Sequence, residues 1–212
     1  PDDEDLGEVA FVGYLVRCNL AENLVIGAAA ALGWPLPILP LPILFLNLLT
    51  DVFPAAALGV GEGDPRAMER APRDPREGFL TRRHWGSIAG HAAVLTAAVL
   101  VAYGAALDGH GLPIARTVAF ATLGFGQVWH VLAMADRRAS PFDNEVTRNP
   151  WVGGAIALCV ALLCAGLLAP GLKDLLGAVP MPASAWALAI GASVAPLLLI
   201  HLGRFGRRLV ER

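Results

Sequence analysis

Residues Trp151–Ala169 read WVGGAIALCVALLCAGLLA, nineteen residues without a charge or a proline. As a helix this stretch rises about 28 Å, close to the roughly 30 Å of hydrocarbon in a bilayer. The same kind of run recurs outward along the chain, at Val9–Leu32, Leu36–Leu58, His84–Leu107, Ile114–Ala135 and Ser184–Leu202. Hydrophobic residues make up 56% of the 212 and charged residues 16%, with a mean hydropathy of +0.58. Soluble domains carry about 45–50% and about 25% respectively. The expected fold is therefore all-α, a polytopic membrane bundle of six transmembrane helices, with the lipid bilayer as its first partner. A net charge of −2 removes nucleic-acid binding driven by bulk positive charge. Three scattered cysteines give neither a disulfide framework nor a CxxC metal knuckle.

Between the runs, the connectors set an orientation. Gly33-Trp34-Pro35 alone separates the first two, which predicts a tight antiparallel hairpin. The stretch 59–83 holds Pro65, Pro72 and Pro75 amid dense charge and reads as a loop, while Asp108–Pro113 and Pro170–Pro182 read as short connectors. This divides the chain into a hairpin over 1–58, a loop over 59–83, and a four-helix supporting bundle with a short tail over 84–212. Arg66, Arg70, Arg73, Arg76, Arg82 and Arg83 in the loop fall on one side of a six-span arrangement. Arg137, Arg138 and Arg148, and the tail arginines Arg204, Arg207, Arg208 and Arg212, fall on that side too. The other side has only Arg116 and Lys173. Positive residues mark the cytoplasmic face, so a multi-pass protein with both termini cytoplasmic is expected, in a bacterial-type plasma membrane. The chain opens Pro1-Asp2-Asp3-Glu4-Asp5, without Met and without the basic n-region of a secretory signal, and is read as part of a longer polypeptide.

Only two acidic residues lie well inside the runs, Glu22 and Asp51, at a depth where an unpartnered charge costs several kcal/mol. Asn19 stands three residues before Glu22, and Asn47 and Thr50 stand four and one before Asp51. Across a short antiparallel turn the two sets sit at matching depth, so carboxylates and neutral oxygens converge. Oxygen-only donors suit a hard cation such as calcium, which takes six to eight oxygens, and not the softer metals that prefer Cys and His. Pro54 removes the backbone bond to the Thr50 carbonyl, so a locally unwound second helix is expected there. Two other readings of the set stand beside this one: hydrogen-bond glue between helices, as for Asn23 alone, and a Glu–Asp pair sharing or relaying protons. His91 and His130 are either packing residues or proton carriers or ligands. Trp34, Trp85, Trp151 and Trp186 read as interface residues, with Trp129 too deep for that.

These residues carry a resemblance. Tyr14-Leu15-Val16-Arg17-Cys18-Asn19-Leu20-Ala21-Glu22-Asn23 resembles the start of the fifth transmembrane helix of P-type cation-transporting ATPases. Asn47-Leu48-Leu49-Thr50-Asp51, with Pro54-Ala55 and Ala57-Leu58-Gly59 following, is similar to the sixth-helix signature of the calcium-pump branch. The loop residues Asp64, Met68, Arg70, Pro72-Arg73 and Pro75-Arg76-Glu77 are similar to the family's loop between helices six and seven. The resemblance covers nearly the whole chain, as the family's last six helices. It implies that Asn19, Glu22, Asn47, Thr50 and Asp51 are ligands of a transported divalent cation, calcium first, in a translocating segment of an ATP-driven pump. A family glutamate that helps build a second calcium site aligns near Gly124, with Gln127 one turn on, which implies one ion per cycle. Asp2–Glu8 is acidic where family members are basic. No Asp-Lys-Thr-Gly phosphorylation loop, nucleotide pocket or Thr-Gly-Glu-Ser loop occurs in this sequence. ATP and Mg2+ would act only through cytoplasmic domains that, with the upstream helices, are the implied partners. This chain alone would hydrolyse nothing. The alternative, from another class, is a free-standing proton- or cation-coupled transporter or a non-catalytic partner of a pump.

Overall fold

The computed structural model describes the backbone of residues 6–59, 82–133 and 150–210, and the side chains over 12–49, 84–130 and 153–199. Seven helices occupy the described residues, without strands: α1 Leu6–Ala31, α2 Pro40–Gly59, α3 Arg82–His110, α4 Leu112–Ala133, α5 Pro150–Leu168, α6 Leu172–Leu175 and α7 Ala183–Val210. The six long helices follow the six apolar runs. The loop expected over 59–83, with its arginines, lies almost wholly outside the described residues, as do Arg137, Arg138 and Arg148. Pro40 and Pro150 each occupy the first helical position, where a missing N–H costs nothing and the fixed φ favours the helix.

Several connectors differ from the expectation. The chain leaves α1 through Gly33, whose φ of +69° is open to glycine; Gly33 N donates to Ala30 O and Trp34 N to Ala29 O, closing the helix in a Schellman pattern. It then stays non-helical over 32–39, because Pro35 and Pro37 keep the residues before them extended. The hairpin turn is thus eight residues long, not three. Conversely α3 runs on to His110, and only Gly111, at φ +81°, separates it from α4. The Pro170–Pro182 connector contains the single turn α6. Helix α2 continues unbroken through Pro54 to Gly59, so the expected unwinding is absent; a proline removes one bond, and the turns on either side hold.

The long α1–α2 connector is pinned from two other helices. Tyr103 Oη on α3 donates to Pro35 O at 2.8 Å, Arg116 Nε on α4 donates to Leu36 O at 3.0 Å, and the Trp34 ring closes over Gly104, where a Cβ would stand 2.8 Å from it. Trp34 is half-buried there, a packing residue more than an interface one. Tyr103→Phe removes the donor to Pro35 and is expected to cost about 1 kcal/mol, read as a lower thermal midpoint in detergent with the helix content unchanged. An unaltered midpoint would show that the connector is held without it.

Helix α4 is the axis of the molecule. Every residue from Thr117 through Val128 is buried, and α4 packs on α1, α2, α3, α5 and α7. Small residues allow the close approach: Ala115, Ala119 and Ala121 are fully enclosed, and a Cβ at Gly124 or Gly126 would press on leucine methyls of neighbouring helices. Large apolar side chains also face outward, and a few polar ones face inward. Leu44, Leu48, Val101, Leu168, Leu198 and Leu199 are each more than half exposed, whereas Glu22, Thr117, Thr122, Gln127 and His130 lie inside. Among the described residues one helix, over His84–His110, is by itself long and apolar enough to cross a membrane. Pro40–Leu49, Gly153–Leu168 and Ala183–Leu199 are shorter apolar stretches, and α1 is interrupted by Arg17, Asn19, Glu22 and Asn23.

Candidate cation site

The inward face of α1 is set by helical spacing. Tyr14, Cys18, Ala21, Glu22, Val25 and Ala29 recur at intervals of three, four and one, and all are buried. Glu22 is 4% exposed and sits in the middle of the helix, so its carboxylate needs partners from other helices. It has them. Gln127 Nε2, from α4, donates to Glu22 Oε1 at 2.8 Å. Asn47, from α2, with its amide nitrogen turned to the carboxylate, donates to Oε2 at 2.7 Å and to Oε1 at 3.0 Å. A half-turn of that amide puts Oδ1 in the same place, and three oxygens then face one another. Only a cation or a shared proton reconciles such a set. One carboxylate therefore collects amides from two other helices.

The remaining sequence candidates are placed differently. Asn19 is partly buried, and its Nδ2 donates back to Leu15 O at 3.0 Å, within its own helix. Asn23 is exposed and donates to Asn19 O at 2.8 Å within its own helix, and it bridges no pair of helices among the described residues. Thr50 and Asp51 lie on α2 three and four residues beyond Asn47, but their side chains fall outside the described residues. Cys159 on α5 donates its Sγ–H to Leu49 O at 3.3 Å, which ties α5 to the same turn of α2. No group of three or more His, Cys, Asp or Glu side chains forms among the described residues, and the two described partners of Glu22 given above are amides.

Two residues change their standing. Gly124 is packed against leucines: a Cβ there would lie 2.9 Å from Leu46 Cδ2 and from both Cδ atoms of Leu163, whose methyls would have to shift. Gln127, fully buried, is the α4 residue that reaches Glu22. A signal for it existed: it is the chain's only glutamine, and it interrupts an apolar run. His91 and His130 stack on each other with ring centroids 3.4 Å apart, and His130 lies 6.0 Å from the Tyr14 ring. They form a packing contact joining α1, α3 and α4, next to the Tyr14 Oη that donates to Gln127 O at 3.4 Å. Trp129 stacks on Phe125 at 6.2 Å.

Residues 35–205 match the sequence profile described as "Cation transporting ATPase, C-terminus". The chain belongs to that family. Among curated relatives of this cation-transporting ATPase region is the "Calcium-transporting ATPase" of Bacillus subtilis, 32% identical over 192 residues, which cover 90% of this chain and 22% of that protein. "Calcium-transporting ATPase 1" of Bacillus cereus is 26% identical over 215 residues, covering 92% of this chain and 24% of that protein. "Calcium-transporting ATPase 1" of Lactococcus lactis is 28% identical over 201 residues, covering 90% and 22%. The chain thus spans under a quarter of the length of these relatives. The profile takes in α2 to most of α7 and leaves α1 outside it, so the hairpin that meets at Glu22 straddles the border of the cation-transporting ATPase C-terminal region.

Proposed function

We propose that this chain is the cation-translocating membrane region of an ATP-driven P-type pump whose cargo is calcium. The observation that carries the reading is Glu22: a buried mid-helix carboxylate on α1 faced by amides from α2 and α4. Membership of the cation-transporting ATPase family and calcium-transporting relatives supply the cargo. The apolar surface supports six spans, with exposed leucines toward lipid and polar side chains toward the interior. In this arrangement both termini and the 59–83 loop are cytoplasmic, in a bacterial-type plasma membrane. The hairpin over 1–58 carries the ion, and 84–212 supports it.

The proposed ligands are Asn19, Glu22, Asn47, Thr50 and Asp51. Glu22 and Asp51 bring two negative charges, which balance one divalent ion, and three neutral side chains add oxygens. For the ion to bind, the Asn47 amide turns, so that its oxygen replaces its nitrogen beside Glu22. ATP and Mg2+ act through cytoplasmic domains outside this chain, whose aspartyl phosphate drives the helices between states. In the full-length pump, calcium should be required for acid-stable phosphorylation from ATP, and equilibrium binding of labelled calcium should saturate near one ion per pump. Phosphorylation indifferent to calcium would remove the cargo. Saturation at two would remove the single site. Cation uptake driven without ATP would turn the assignment to a secondary transporter.

A further inference from the structure

Gln127 stands outside the five proposed ligands, yet the fold encloses it and holds it against one of them, Glu22. It lies on the central helix α4 and is 0% exposed. Its two polar ends are treated differently. Nε2 donates to Glu22 Oε1 at 2.8 Å, while Oε1 is buried with no hydrogen-bond partner among the described residues. Burying an amide with half its capacity unmet is costly, and Leu or Met would fill the same volume without that cost. The one return on it is the grip on Glu22. Its own backbone is steadied in turn, since Tyr14 Oη, from the helix that carries Glu22, donates to Gln127 O at 3.4 Å.

We propose that Gln127 is a positioning residue of the cation site: by holding Glu22 Oε1 it fixes the carboxylate so that Oε2 faces Asn47 and the ion. This rests on the cation-site reading above. Among the described residues two amides hold Glu22, and they differ in what binding asks of them. The Asn47 amide stands against Oε2, shares Oε1 at 3.0 Å, and must turn when the ion arrives. Gln127 meets Oε1 alone and can keep its bond throughout. Glu22 is then never stripped of all its donors, and its rotamer is the same with and without cargo. Outer partners that orient a ligating carboxylate are typically worth about 10–100-fold in metal affinity.

The test is a double-mutant cycle in the full-length pump, read by equilibrium binding of labelled calcium. Gln127→Met keeps length and bulk and removes the donor; it should weaken binding about 10–100-fold with the number of sites unchanged. Introduced together with Glu22→Gln, the same substitution should change affinity by less than about twofold, because the residue through which it acts is already altered. Gln127→Asn retains the amide but is one methylene short, and it should fall with Gln127→Met; it carries the test if the methionine variant does not fold. Unchanged or tighter binding in both single variants would overturn the proposal. So would an equal loss in both backgrounds, which marks an effect independent of Glu22. Absence of any saturable calcium binding in the unsubstituted pump would instead sink the cation-site reading itself.

Discussion

Asp51→Asn in the full-length pump is expected to move the calcium concentration for half-maximal phosphorylation upward by roughly 100-fold or more, since calcium sites set their affinity over decades by ligand charge and rigidity. The substitution keeps the shape of the side chain and removes one of the two charges proposed to balance a divalent ion. Glu22→Gln removes the other and should do the same, although Gln at 22 still fits between Asn47 and Gln127. The measurement is acid-stable phosphoenzyme against calcium concentration. A curve for Asp51→Asn that overlays the unsubstituted one would drop Asp51 from the ligand set, leaving Glu22 to be judged on its own variant.

The second large effect concerns Gly124. Family resemblance aligns a glutamate near this position, and by alignment alone Gly124→Glu restores a second site. The packing says otherwise. A Cβ there already meets the terminal methyls of Leu46 and Leu163 at 2.9 Å, and a longer charged side chain must displace them further. Overpacking costs about 1–3 kcal/mol, and an uncompensated buried charge costs about 3–5 kcal/mol more. Gly124→Glu should therefore lose most of its folded yield or fall far in thermal midpoint, and it should gain no second calcium. Gly124→Ala should show the packing part alone. A well-folded Gly124→Glu pump that saturates at two ions would show that the leucines give way and that α4 offers a second place.

The contrast between Gly124 and Gln127 shows where the sequence stops being sufficient. On α4 the two differ by three residues, less than one turn, and an alignment slips that far without penalty when one apolar residue replaces another. Three residues apart, they share a face of α4, so which of them meets Glu22 depends on how far along its axis α4 is set. That placement is fixed by what α4 packs on: Leu46 and Leu163 on one side, Leu95 and Ala189 on others. None of those neighbours is near in sequence. Asn19 makes the same point from the other direction. Its spacing of three from Glu22 puts it on a shared face, but a side chain can satisfy its amide on its own helix, and this one donates to Leu15 O.

What the sequence determined alone were the features that follow from local chemistry. Runs of about twenty apolar residues are helices because in an apolar setting the backbone must bond within itself, and all six long helices lie where those runs lie. The oxygen-rich, Cys- and His-poor character of the residues around Glu22 and Asp51 is legible because donor chemistry belongs to residue type. The motifs at 14–23 and 47–59 pointed to the family that the profile over 35–205 then showed. Tertiary structure alone decided what the long hairpin turn is held by, namely Tyr103 and Arg116 from distant helices. It also decided that Glu22 is met by Asn47 and Gln127 together, 25 and 105 residues away in sequence. Helical periodicity fixes which residues share a face. Only packing against other helices fixes what that face meets.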